Sequence, residues 1–100
     1  MKAFIIGGTG TISSAVAELA VKRGMDVTLL NRGKHPQLIP EGVKQVTADI
    51  TDEKTVDEFL SINTFDVAAD FIAFSPKDIE RDIRLFNSRV KQFIFISSAS

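Results

Sequence analysis

The residues of this chain best suited to chemistry stand at the ends of short apolar runs. The first group is Gly7-Gly8-Thr9-Gly10, directly after Lys2-Ala3-Phe4-Ile5-Ile6 and directly before a stretch of helical period. Gly7 permits a tight turn, and Gly10 lets backbone approach a bulky anion. The N–H groups of Thr11 and Ile12 then open a helix, where the dipole favours negative charge. Diphosphate binding is the chemistry such a turn serves; a strand-to-helix turn that binds nothing is the plain alternative. Further polar candidates are Asn31-Arg32, Asp49, the segment Ala73 to Ser75, and Ser97-Ser98.

Periodicity supplies the elements that must position these groups. Ile12, Val16, Leu19 and Ala20 fall on one helical face, Lys22 and Arg23 suit its last turn, and Gly24 stops it. Val27-Thr28-Leu29-Leu30 reads as a second strand, completing a βαβ unit. Asn31 to Gly42, rich in glycine and proline and holding His35, reads as a loop; His35 is expected exposed and inert. Val43 to Thr47 is a third strand. Thr51 is the expected N-cap of a helix whose buried stripe is Val56, Phe59 and Leu60. Asp66 to Ile72 is a fourth strand, apolar enough to be covered on both faces, with Asp70 inside it expected at a hydrogen-bonded or solvent-facing position. Ser75-Pro76 with Asp78 carries the signs of a capping box, and Ile79, Ile83, Phe86 and Val90 continue a helical period. The charges from Lys77 to Arg84 read as a solvated face. Lys91 to Ser97 is a fifth strand, and Phe86, Phe93 and Phe95 are expected in the core. Alternating strands and helices imply a doubly wound α/β domain, a parallel sheet in the order 3-2-1-4-5 over residues 1–100. In such a sheet ligands bind at the carboxyl ends of the strands, near the switch point between strands 1 and 4. Every polar candidate above lies at such an end.

Composition narrows the classes. One hundred residues make one small domain, burying roughly 65% of the surface exposed by the unfolded chain. Twelve Lys and Arg against thirteen Asp and Glu give a net charge of −1, which argues against a nucleic-acid partner. The apolar runs are too short to span a bilayer. With no cysteine and one histidine, disulfides, thiolate chemistry and a multi-histidine metal site are excluded, and no metal is expected. The cysteine count fits a reducing compartment, and a cytoplasmic location is the expectation.

The run Gly7-Gly8-Thr9-Gly10-Thr11-Ile12 resembles the cofactor turn of the extended short-chain dehydrogenase/reductase superfamily, the NAD(P)-dependent epimerase/dehydratase group. Gly24, Asp26 to Leu30, Asn31-Arg32-Gly33, Asp49-Ile50, Phe71-Ile72-Ala73 and the ending Phe93 to Ser100 are similar to that family as well. The resemblance covers the whole chain but only the N-terminal, Rossmann portion of a family member, so a fragment of a longer protein is expected. It implies that Asp49 accepts from the adenine amino group with Ile50 packed on the ring. It also implies that Phe71, Ile72 and Ala73 line the cofactor, that Ser97 lies beside the nicotinamide, and that Ser98 is the catalytic serine. Gly7, Thr9, Gly10, Thr11 and Ile12 would hold the diphosphate.

Two departures from the family pattern bear on the cofactor. Ser13 stands where the turn usually has its third glycine. At the end of strand 2, Asn31 and Arg32, with Lys34 beyond, replace the acidic residue that repels a 2′-phosphate. A guanidinium can grip that phosphate or stack on adenine, so NADP(H) is expected over NAD(H).

The resemblance further implies a Tyr-x-x-x-Lys pair downstream of Ser98, with lysine stabilising tyrosinate during hydride transfer. These 100 residues hold no tyrosine and would be inactive alone. The leading reading is the cofactor-binding portion of an epimerase, dehydratase or reductase acting on a sugar nucleotide or another small carbonyl or hydroxyl substrate. A non-catalytic NADP(H)-sensing regulator or scaffold is the alternative, followed by an RNA-binding relative. An apolar fifth strand at the sheet edge would also allow a homodimer.

Overall fold

The computed structural model describes residues 1–7, 11–31, 41–71 and 75–95, with 11–14 and 31 described by backbone alone. The elements are β1 (Lys2–Ile6), α1 (Thr11–Lys22), β2 (Asp26–Asn31), β3 (Lys44–Thr47), α2 (Glu53–Ile62), β4 (Val67–Asp70), α3 (Pro76–Phe86) and β5 (Gln92–Phe95). Among the described residues the strands form one five-stranded sheet in the order β3-β2-β1-β4-β5, every neighbouring pair parallel. This is the doubly wound arrangement expected from the alternation of elements.

Side chains alternate across the sheet and divide the core in two. Phe4 and Ile6 of β1, Leu30 of β2 and Ala68 of β4 pack against Val56 and Leu60 of α2 and Leu85 and Phe86 of α3. Ile5, Val27 and Leu29 face the other way and meet Ala17 of α1. Register agrees with this division, pairing Ile5 with Leu29 and Ile6 with Leu30. Phe4 is the hub of the larger cluster, its ring centroid 4.9 Å from Phe65 and 5.8 Å from both Phe59 and Phe86.

The helix ends follow local chemistry. Gly24, at φ +83°, turns the chain after α1. Asp52, rather than Thr51, caps α2, its side chain accepting from Thr55 N. Thr51 is instead held by Asp49, which presents a carboxylate to its N–H and hydroxyl. Ser75 and Asp78 close a capping box on α3, and Pro76 occupies the first turn, where a missing N–H costs nothing.

Three expectations about faces are corrected. Among the described side chains of α1 the buried one is Ala17, while Val16 is 40% and Leu19 52% exposed. A small residue lets the helix axis approach the sheet, turning its larger neighbours outward. On α3 the sheet-facing residues are Arg81, Asp82, Leu85 and Phe86, whereas Ile79 and Ile83 are exposed. Residues 77–84 are therefore not a uniformly solvated face. Phe95 is also exposed, although Phe86 is buried and Phe93 partly so.

Candidate functional site

The carboxyl ends of the strands are brought to one level by register. Ile6 lies beside Leu30 and Asp70, Leu30 beside Val46, and Asp70 beside Phe95. Gly7 follows Ile6 with φ +116°, a backbone conformation that suits glycine and few other residues. Its N–H donates to Leu30 O at 2.9 Å, and Phe71 N–H donates to Ile6 O at 3.1 Å. These two bonds stitch the ends of β2, β1 and β4 together at the switch point, with Gly7 in the middle.

Thr11 and Ile12 open α1, as expected from the sequence. The first turn of α1 carries no acidic residue, in contrast to Glu53 in α2 and Asp78 in α3. No carboxylate of its own therefore competes with an incoming anion at that helix end. Asn31 is the last residue of β2, in register with Thr47 of β3.

Asp49 follows β3 and is half-buried. Its Oδ1 accepts from Thr51 N at 2.9 Å and from Thr51 Oγ1 at 2.7 Å. This bonding shapes the turn into α2. Ile50 is buried in the α2/α3 side of the core, and Phe71 packs on the α1 side against the cluster of Ile5 and Leu29. The structure thus brings Gly7, the start of α1, Asn31 and Phe71 to one edge of the sheet, with Asp49 beyond β3. Thr9, Gly10, Arg32, Ile72, Ala73, Ser97 and Ser98 lie outside the described residues, as do Gly8, Lys34 and His35.

Sequence reasoning missed a buried ionic cluster beside this edge. Asp70 ends β4 fully buried, and its Oδ2 lies 3.5 Å from Nη2 of Arg81. Asp82 is equally buried. Burial first, then the hydrogen bond and negative charge of Asp70, raise the Asp82 carboxyl to about 8 against the opposing pull of Arg81. Burial beside Asp70 thus favours the protonated form of Asp82. The available signal was Asp70 itself, an acid inside an apolar strand that must find a buried cation.

At the opposite end of the sheet Asp66 plays a structural part. Its carboxylate accepts from Lys2 N at 2.8 Å, and that bond, with help from Lys91, holds it below its usual pKa. Among the described residues no group of carboxylate and histidine side chains is placed to hold a metal. No helix among them is long and apolar enough to cross a membrane.

Residues 3–100 match the NAD dependent epimerase/dehydratase family, and the chain belongs to that family. No curated protein sequence matches it. Among solved structures it is similar to an epimerase from Methanothermobacter thermautotrophicus, with 18% identity and a TM-score of 0.82 over 98% of this chain and 35% of that one. The Bordetella bronchiseptica enzyme WbmG in complex with NAD superposes with a TM-score of 0.81 at 13% identity, covering 95% of this chain and 36% of that one. UDP-glucose 4-epimerase from Thermotoga maritima, solved with UDP-glucose, gives 0.75 at 19% identity over 95% and 37%. The chain spans about a third of the length of each of these structures, and at such identities the likeness speaks for the fold.

Proposed function

We propose that this chain is the dinucleotide-binding portion of an NAD(P)-dependent epimerase/dehydratase or reductase. The observation that carries the proposal is Gly7 at φ +116°, set between β1 and the start of α1 at the switch point of a parallel sheet. Membership of an NAD-dependent family supports it independently. The Gly7–Gly10 turn and the N–H groups of Thr11 and Ile12 would hold the diphosphate. Asn31 and Arg32 would receive the adenosine ribose, Asp49 the adenine amino group, and Phe71 to Ala73 the rest of the cofactor. Ser97 and Ser98 would stand near the nicotinamide, with Ser98 orienting the reacting oxygen. When bound, the cofactor supplies hydride transfer.

NADP(H) is the preferred form, because no acidic side chain follows β2 and Arg32 offers a charge partner for a 2′-phosphate. A sugar nucleotide is the favoured substrate class, in line with the UDP-glucose and UDP complexes of similarly folded enzymes. Titration of the full-length chain with NADPH and NADH, with and without Arg32→Ala, tests the cofactor assignment. Tighter NADPH binding that the substitution erases is expected; a preference for NADH in the unaltered protein overturns the NADP(H) reading.

A further inference from the structure

The junction of β4 and α3 buries an ionic cluster that dinucleotide binding as described leaves unused. Arg81, its side chain 8% exposed, reaches three carboxylates. Its Nη2 lies 3.5 Å from Asp70 Oδ2 and 3.1 Å from Asp82 Oδ1. Its Nε donates to Asp82 Oδ1 at 3.1 Å, and its Nη1 donates to Asp78 Oδ1 at 3.1 Å. Asp78 Oδ2 in turn accepts from Ser75 N at 3.2 Å. The contacts run from the carboxyl end of β4, through one guanidinium, to the N-cap of α3. They join the two ends of the β4–α3 connection without passing along it.

Burial alone does not account for this arrangement. Charged groups are costly to bury, and apolar residues of similar volume often serve stability as well or better. Yet α3 turns Arg81 and Asp82 inward and leaves Ile79 and Ile83 exposed. What a guanidinium supplies and a leucine does not is hydrogen bonds to Asp82 and Asp78 together with a buried ion pair to Asp70. The tie ends one residue before Phe71, whose N–H bonds Ile6 O next to Gly7.

We propose that Arg81 is a positioning residue for the dinucleotide site, holding the carboxyl end of β4 and the N-terminus of α3 in one relative placement so that Phe71 stays level with Gly7. The inference rests on the dinucleotide reading above.

The protonation of the cluster makes the role testable. Asp82 Oδ2 is buried without a hydrogen-bond partner among the described residues, and a proton there supplies a donor toward Asp70. With Asp82 neutral, one buried carboxylate fewer draws on Arg81, which also pairs with Asp78. The groups facing Asp82 among the described residues are Asp70 from β4 and Arg81 from α3, with Asp78 one link further. The cavity that Asp82 helps line is bounded on the β5 side by Phe93 and Phe95. Once Asp82 ionises, two buried carboxylates compete for Arg81 and its hold on Asp70 weakens.

Calorimetric titration of the full-length protein with NADPH, from about pH 6 to pH 9, compares wild type, Arg81→Met, Arg81→Lys and Asp82→Asn. Wild-type affinity is expected to fall several-fold as Asp82 ionises, and the Asp82→Asn profile to stay flat. Arg81→Met is expected to bind about tenfold more weakly, with partial recovery in Arg81→Lys. Hydrogen exchange supplies a readout without cofactor: the Phe71 amide should exchange faster in Arg81→Met while the β1 amides stay protected. Wild-type affinity in Arg81→Met, with Phe71 still protected, overturns the proposal and leaves the dinucleotide reading intact. Absence of binding by the wild type at every pH overturns both. Should Arg81→Met fail to fold, a wild-type pH profile as flat as that of Asp82→Asn overturns the proposal.

Discussion

Replacing Asp82 by asparagine should remove one pH dependence from the stability of this protein. The buried Asp82 carboxyl is raised from 3.8 to about 8, chiefly by desolvation and by Asp70. Between about pH 5 and pH 7 the folded state holds about one proton more than the unfolded state at this position. Stability therefore falls as pH rises, by about 1.4 kcal/mol per pH unit, until the folded-state pKa is passed. The contribution is fully present only below the unfolded value and is lost through the folded one. Asparagine has the shape of the protonated acid, keeps a donor toward Asp70 and has no proton to lose. The stability of Asp82→Asn relative to wild type should rise by about 1–3 kcal/mol from pH 5 to pH 7, the upper figure being the full linkage and the lower allowing for water entry around the ionised group. Urea unfolding followed by far-UV circular dichroism gives the difference directly. Parallel pH curves for the two proteins would refute the reasoning, because they would mean that Asp82 is already ionised in the folded state.

Two other perturbations read the fold. Phe4→Ala, which empties the centre of the contacts with Phe59, Phe65 and Phe86, should cost about 3–5 kcal/mol in urea unfolding. Ser75→Ala removes the hydroxyl that accepts from Asp78 N at 3.3 Å and should cost about 1 kcal/mol; no loss would mean that Asp78 alone secures the start of α3.

Much of this structure was legible because its signals are local. The change from apolar run to helical period at Gly7, the stop at Gly24 and the Ser75-Pro76 start each lie within a few residues of the feature they set. Strand order followed from the alternation of elements and the handedness of crossovers. The inward faces of α1 and α3 were harder. Ile79 and Ile83 mark a helical face, but periodicity does not say whether the sheet lies on that side. The partner that draws Arg81 inward is Asp70, on a different element, and that pairing is tertiary. Asp49 illustrates a similar limit, since its carboxylate spends two bonds on Thr51 and so shapes a turn whatever else it does. At the site, Gly7 and the start of α1 were legible from residue types. The proton held by Asp82 was not, because it depends on burial beside a second carboxylate.

The most direct test of the central claim is calorimetric titration of NADPH into the full-length protein and into its Gly7→Val variant. Valine strongly disfavours φ +116° and so disrupts the tight turn that leads from β1 toward the start of α1. Saturable binding by the wild type, abolished in a variant that still unfolds cooperatively, is the expected result. A folded wild type that takes up neither NADPH nor NADH, or a Gly7→Val variant that binds as tightly, would contradict the assignment of this sheet edge as a dinucleotide site.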